Sequence, residues 1–255
     1  MLLYLDIVRM ETLMKKYKYV VVSGCSFSSS DSPNLVNPGE TYGDLIAEHL
    51  GAKFYNLSMG GASLQYMNRK TLEWCSRNTD KFEDTLIIFG MTGLNRLEIW
   101  SNGFNSWYNC PDYLQVRRNM PLPKSKLFKQ GFSPEERKRW FMNFYNDKTQ
   151  FYYATNMLIG LQSFMTLNSI DHIFFDALEP IDTWHMGEDE LGYKLLFDNL
   201  VSQENWYKHP EYKSLQYLTS NNIEMRKSIR DEHPNKKAHK YWANCLIEFM
   251  ENKDG

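Results

Sequence analysis

Short apolar runs alternate along this chain with longer stretches in which apolar residues recur every three or four positions. Tyr19 to Val22 is a β-branched run that stops at Ser23-Gly24, and it predicts a buried strand. Lys53 to Leu57 predicts a second, and Thr85 to Phe89 a third that ends at Gly90. Asp171 to Asp176, DHIFFD, predicts a fourth. Residues 40–50 read as a helix closed by Gly51 just past its C-cap. Residues 62–77 have helical spacing with Leu64, Met67, Leu72 and Cys75 inward, and 149–167 form a further amphipathic helix. A last helix over about 236–251 puts Ala238, Trp242, Cys245, Leu246 and Phe249 on one face. Strand, helix, strand, helix, strand is the order of a parallel sheet held between helices, an α/β fold.

Two stretches break the pattern. Residues 97–148 are long, aromatic and irregular, and 177–230 are similar with weaker patterning. In the first, Ser133-Pro134-Glu135-Glu136 has the residues of a capping box with Pro at the first helical position. A short helix carrying Trp140, Phe141 and Phe144 is expected to follow. The run 117–139 sets Arg117, Arg118, Lys124, Lys126, Lys129, Arg137, Lys138 and Arg139 against Glu135 and Glu136. Such a run is usually a solvated face. Interleaved with aromatics, it also suits a lid over an anionic or glycan substrate.

Composition narrows the function classes. In 255 residues, 42% hydrophobic and 15% aromatic content supplies a core and excludes a disordered chain. The net charge of −2 disfavours a globally basic nucleic-acid binder, so no nucleic-acid partner is expected. No stretch of 18 apolar residues exists to form a membrane span. The opening MLLYLDIVRM lacks a basic start, is interrupted by Asp6 and has no small-residue cleavage site after it, unlike a signal peptide. Met14 begins a more natural opening, MKKYKYVVVSG. Residues 1–13 are therefore expected to be an appendage or a start-site artefact, and 14–255 a single cytoplasmic domain. Cys25, Cys75, Cys110 and Cys245 are scattered without a C-x-x-C pair, which argues against a zinc site and for free thiols.

No phosphate loop, H-E-x-x-H or G-x-S-x-G is present. Four short blocks remain. Gly24-Cys25-Ser26-Phe27-Ser28 follows the first strand, Asn56 to Ser63 the second, Gly90-Met91-Thr92-Gly93 the third, and Asp231-Glu232-His233-Pro234-Asn235 precedes the last helix. Ligands of open α/β folds sit at the carboxyl edge of the sheet, where the first three blocks emerge. The blocks hold the parts of acyl-group hydrolysis. His233 can activate Ser26 as a nucleophile, and Asp231 can hold the His233 tautomer. The Ser26 N–H, a glycine N–H of the second block and the Thr92 hydroxyl can serve the oxyanion. Cys25 should point away from Ser26 as a buried thiol. Arg96 can bind a substrate carboxylate or phosphate, or form a surface salt bridge. His185 and His239 read as packing or helix-surface residues.

In order and content these blocks resemble the SGNH, or GDSL-type, hydrolase superfamily, and most of all its divergent bacteriophage and bacterial branch. The resemblance covers about 18–96 and 149–252. It implies a flavodoxin-like three-layer α/β/α sandwich with a lid-like insertion at about 97–148. It implies Ser26 as nucleophile, Asp231 and His233 as its partners, and Gly61 rather than Gly60 as the oxyanion glycine, with Ser26 and Thr92. The implied reaction is hydrolysis of a carboxylic ester, such as an O-acetyl group on a small molecule or glycan, with no metal and no cofactor. An O-acyltransferase with the same triad, or an inert binding or structural protein that keeps the fold, are the alternatives. The chain departs from the family in three places. Cys25 replaces an acidic residue, Thr92 replaces an Asn, and D-x-H replaces D-x-x-H.

Overall fold

The computed structural model describes residues 17–30, 36–94, 96–101, 106–110, 139, 143, 146–181 and 191–254. Along the chain run β1 (Tyr19–Gly24), α1 (Tyr42–Leu50), β2 (Lys53–Asn56), α2 (Leu64–Ser76), β3 (Thr85–Met91), β4 (Leu97–Ser101) and β5 (Ser106–Cys110). Then come α3 (Asp147–Leu167), β6 (Asp171–Asp176), α4 (Leu191–Leu200), β7 (Trp206–Tyr207), α5 (Leu215–Asn221), β8 (Arg226–Ser228), β9 (Asp231–Pro234) and α6 (Lys236–Asp254). Five strands form one parallel sheet in the order β2-β1-β3-β6-β7. Helix α1 packs on α6, while α2 packs on α3 and α3 on α4. The result is the α/β sandwich with a parallel sheet that the alternation of elements implies.

The central strands are covered on both faces. Val20, Val21, Val22, Ile87 and Ile88 are all fully buried, as continuous apolar strands of a parallel sheet should be. Local chemistry sets the ends of α1. Thr41 and Asp44 form a reciprocal capping box, and Gly51 closes the helix in the left-handed conformation at φ 62°. No described helix is long and apolar enough to cross a membrane.

Several expectations change. Strand β3 runs past Phe89, because Gly90 and Met91 keep pairing with Phe175 and Asp176 on β6. Leu72 is 37% exposed, whereas Thr71 and Trp74 join Leu64, Met67 and Cys75 on the buried side of α2. At 100° per residue, an inward Thr71 turns Leu72 toward the edge of that face. Residues 177–230 supply a fifth sheet strand, β7, only two residues long. Residues 97–110 contain an antiparallel hairpin, β4–β5. Cys25, Cys75 and Cys245 are free thiols. Residues 1–13, the capping box at 133–136, Trp140, Phe141, Phe144, His185 and the basic run lie outside the described residues, except for Arg139, which is exposed.

Candidate active site

Strand β1 ends at Gly24 and the chain turns back at once. The Ser28 N–H donates to the Cys25 carbonyl at 2.9 Å, which makes Ser26 and Phe27 the central residues of a tight turn. Cys25 is fully buried, as expected of a packed thiol, and Ser26 is half-buried. The Ser28 side chain wedges between the ends of β1 and β3. A Cβ on Gly24 would lie 2.3 Å from Ser28 Oγ, and one on Gly90 would lie 2.6 Å from it. Only glycine fits at either strand end. The Tyr42 hydroxyl donates to Ser28 Oγ at 2.8 Å, and Asn56 Nδ2 donates to the Ser28 carbonyl at 3.0 Å. The turn is thereby tied to α1 and β2.

Asp231 and His233 reach the same place on a strand. β8 and β9 pair as a short antiparallel hairpin, with Arg226 opposite Pro234 and Ser228 opposite Asp231. Residues two apart on a strand point to one face, so D-x-H spacing suffices to bring carboxylate and imidazole together. Asn235 joins this hairpin to α6. Its Nδ2 donates to the carbonyls of Glu224 and Arg226 at 2.7 and 2.8 Å, and its Oδ1 accepts from the Ala238 N–H at 3.1 Å.

The three side chains form a continuous line. His233 Nδ1 lies 2.6 Å from Asp231 Oδ1, and the His233 N–H donates to the same oxygen at 3.1 Å. His233 Nε2 lies 2.9 Å from Ser26 Oγ. With the imidazole proton on Nδ1 facing the carboxylate, Nε2 accepts from the Ser26 hydroxyl. The Phe27 ring packs on the imidazole with centroids 5.0 Å apart. Burial alone would raise the Asp231 carboxyl. The hydrogen bonds from the His233 side chain and backbone, helped by the charges of His233 and Lys227, outweigh it and hold the group below its ordinary value.

This line opens onto a cleft of about 400 Å³, which Ser26, Phe27, His233, Gly93, Arg96 and Arg230 help to line. The Ser26 backbone N–H meets no acceptor among the described residues. Gly61 adopts φ 75° in the turn after β2 and leads into Ala62.

Thr92 does not do what its position in the third block implies. Its hydroxyl is buried and donates to the Ala62 carbonyl at 2.9 Å. It also accepts from Arg96 Nη1 at 3.0 Å. A hydroxyl has one proton to donate, and this one is committed. Arg96 lines the cleft as a half-buried residue rather than forming a surface salt bridge. His239 takes the packing role of its two readings. It is buried, and its Nδ1 accepts the Tyr42 N–H at 3.3 Å, capping a first-turn donor of α1. The sequence carries no local signal for Tyr42 as a site support; Asn235 shows only as a candidate N-cap of α6, and its bonds to Glu224 and Arg226 are not local.

No protein-family model and no curated protein sequence matches the chain. Solved structures do. The crystal structure of TesA superposes with a TM-score of 0.50 at 10% identity, covering 92% of this chain and 99% of that one. Axe2, an acetylxylan esterase from Geobacillus stearothermophilus crystallised as a catalytic mutant, gives a TM-score of 0.48 at 12% identity over 93% and 96% of the two chains. A member of the lipolytic protein G-D-S-L family from Veillonella parvula DSM 2008 gives 0.45 at 14% over 90% and 96%. At 10% identity, the match to TesA shows a shared α/β fold.

Proposed function

We propose that this protein, built on an SGNH-type fold, is a serine hydrolase of carboxylic esters. Ser26 is the nucleophile, His233 its base and Asp231 the residue that orients and charge-balances the imidazole. One observation carries this reading: the unbroken line from Asp231 Oδ1 through His233 Nδ1 and Nε2 to Ser26 Oγ, with contacts of 2.6 and 2.9 Å. Both lie within the range of a positioned nucleophile and base.

Ser26 Oγ bonds to the ester carbonyl carbon while its proton passes to His233 Nε2. The carbonyl oxygen takes the electron pair of the opened double bond. When that double bond re-forms, the carbon–alkoxy bond breaks and His233 returns the proton to the leaving alcohol. Water repeats the sequence on the acyl-enzyme, which releases the acid and restores Ser26. The Ser26 N–H and the Gly61 N–H are the backbone donors to the oxyanion. No metal or cofactor enters these steps. A cleft of about 400 Å³ is at the small end of ligand sites and suits a short acyl group, such as O-acetyl on a small molecule or a sugar.

The test is turnover of a short-chain aryl ester by wild type and Ser26→Ala. The variant should lose activity to background with a nearly unchanged melting temperature, because the removed hydroxyl is half-exposed and contributes little to packing. Undiminished activity in Ser26→Ala would move the chemistry to another residue, and no turnover by the wild type would return the fold to a binding or structural role. Adding acceptor sugars to the wild-type reaction separates hydrolysis from acyl transfer.

A further inference from the structure

Arg96 is held in place by the same contacts that commit Thr92. Its Nη1 donates to Thr92 Oγ1 at 3.0 Å and lies 3.5 Å from the Ala62 carbonyl oxygen. Ala62 directly follows Gly61, so these contacts tie the guanidinium to the turn that carries the glycine. Two N–H groups of Nη1 serve these tethers, which leaves the Nε and Nη2 donors for another acceptor. No described carboxylate pairs with Arg96, yet it lines the cleft that holds Ser26 and His233.

A fixed cation with no described carboxylate partner, in the cleft of the proposed nucleophile, is placed to serve a negative charge. That charge is either a group the substrate brings with it or the oxygen that becomes negative when Ser26 attacks. The other charges of the cleft decide between them. Arg230 and Arg96 are set against Glu179, Glu232 and Asp231 on the same walls. Among the described residues these walls carry no excess of positive charge, and so add little field to gather anionic substrates. A developing oxyanion needs a donor at one point rather than a field, and a donor already locked in place needs no reorganisation when the charge appears.

We propose that Arg96 is a catalytic residue, the charged donor to the oxyanion, and that Thr92 is its positioning residue. This inference rests on the Ser26–His233–Asp231 reading. Arg96 keeps its proton throughout. It donates a hydrogen bond to the carbonyl oxygen as the double bond opens, and no atom is transferred.

The experiment measures kcat and KM for p-nitrophenyl acetate, a neutral ester, in wild type, Arg96→Gln, Arg96→Lys, Thr92→Val and Thr92→Ser. Arg96→Gln should lower kcat about 100-fold, the loss typical of one oxyanion donor, with KM within about threefold. Arg96→Lys should fall between, since it keeps the charge but loses the fork. Thr92→Val should lower kcat roughly tenfold, and Thr92→Ser should restore it. Melting curves accompany each variant; if Arg96→Gln does not fold, the Thr92 pair decides. Wild-type kcat in Arg96→Gln would overturn the proposal, as would a loss confined to KM for a carboxylate-bearing ester. Equal kcat in Thr92→Val and Thr92→Ser would overturn the positioning role. Labelling of wild type with a fluorophosphonate, read by mass spectrometry, keeps the two readings apart. No label on Ser26 sinks the nucleophile assignment itself, while a labelled Ser26 with normal turnover in Arg96→Gln sinks the role of Arg96 alone.

Discussion

The Tyr42 hydroxyl donates to Ser28 Oγ at 2.8 Å, and both residues are fully buried. Neither belongs to the Ser–His–Asp line, yet together they hold the turn that presents Ser26. Tyr42 opens α1 and its ring meets Phe175 of β6 edge-on. Ser28 closes the turn and fills the space between Gly24 and Gly90. The position of Ser26 is therefore set by core packing rather than by the turn alone.

Tyr42→Phe removes one buried hydrogen bond and almost no volume. Denaturant unfolding should show a loss of about 1 kcal/mol. Because Ser28 then loses its anchor, kcat for an aryl ester should fall roughly tenfold with the fold intact. A variant that loses stability but keeps full turnover would show that the turn holds its geometry without Tyr42.

Gly90→Ala places a methyl 2.6 Å from Ser28 Oγ and 3.1 Å from both Phe175 Cζ and the Tyr42 hydroxyl oxygen. The neighbours are core groups with little room to retreat. A cost of about 1–3 kcal/mol in urea unfolding is expected, together with loss of turnover as Ser28 shifts. Gly160→Ala is the control, since nothing lies within 4 Å of a Cβ there.

Asp231→Asn keeps the shape but removes the charge that selects the Nδ1–H tautomer of His233. On the proposed mechanism kcat should fall about 10³–10⁴-fold. The wild-type carboxyl is held below its ordinary value of 3.8, so it stays ionised from pH 8 down to 5. Its contribution to stability is present above 3.8 and is lost only as pH falls through the lower folded value. A pH–rate profile should therefore show no Asp231 limb above pH 5.

His239 predicts acid sensitivity. Burial pushes its imidazole down to about 3 from 6.5, and the neutral Nδ1 accepts the Tyr42 N–H. The unfolded chain takes up this proton below pH 6.5 and the folded one does not. Stability should accordingly drop by roughly 1.4 kcal/mol per pH unit between about 6 and 3. Urea unfolding at pH 7.5 and 5.5 should show wild type losing about 1.4 kcal/mol more than His239→Gln. Some slope should remain in the variant, because burial also lowers His172.

The strands at 19–24, 53–56, 85–91 and 171–176 and the helices around them are legible in the sequence. Each is long enough, or apolar enough, for periodicity to show. That Ser26, His233 and Asp231 are candidates to meet is legible too, because they stand in short blocks after β1 and before α6. Three kinds of information are not local. Strand β7 is two residues long and exists because it pairs with Phe174 and Phe175 of β6, so no periodicity could reveal it. The closeness of Asp231 and His233 depends on β9 being extended, a state that pairing with β8 imposes on four residues. Thr92 reads from sequence as a free hydroxyl at a strand end. Only the fold brings the Ala62 carbonyl within reach of it, and that contact, joined by one from Arg96 in the next turn of chain, makes it a tether. Sequence alone determines which groups are present and the elements that carry them. Tertiary structure decides which lone pairs and protons are already in use, because that depends on atoms distant along the chain.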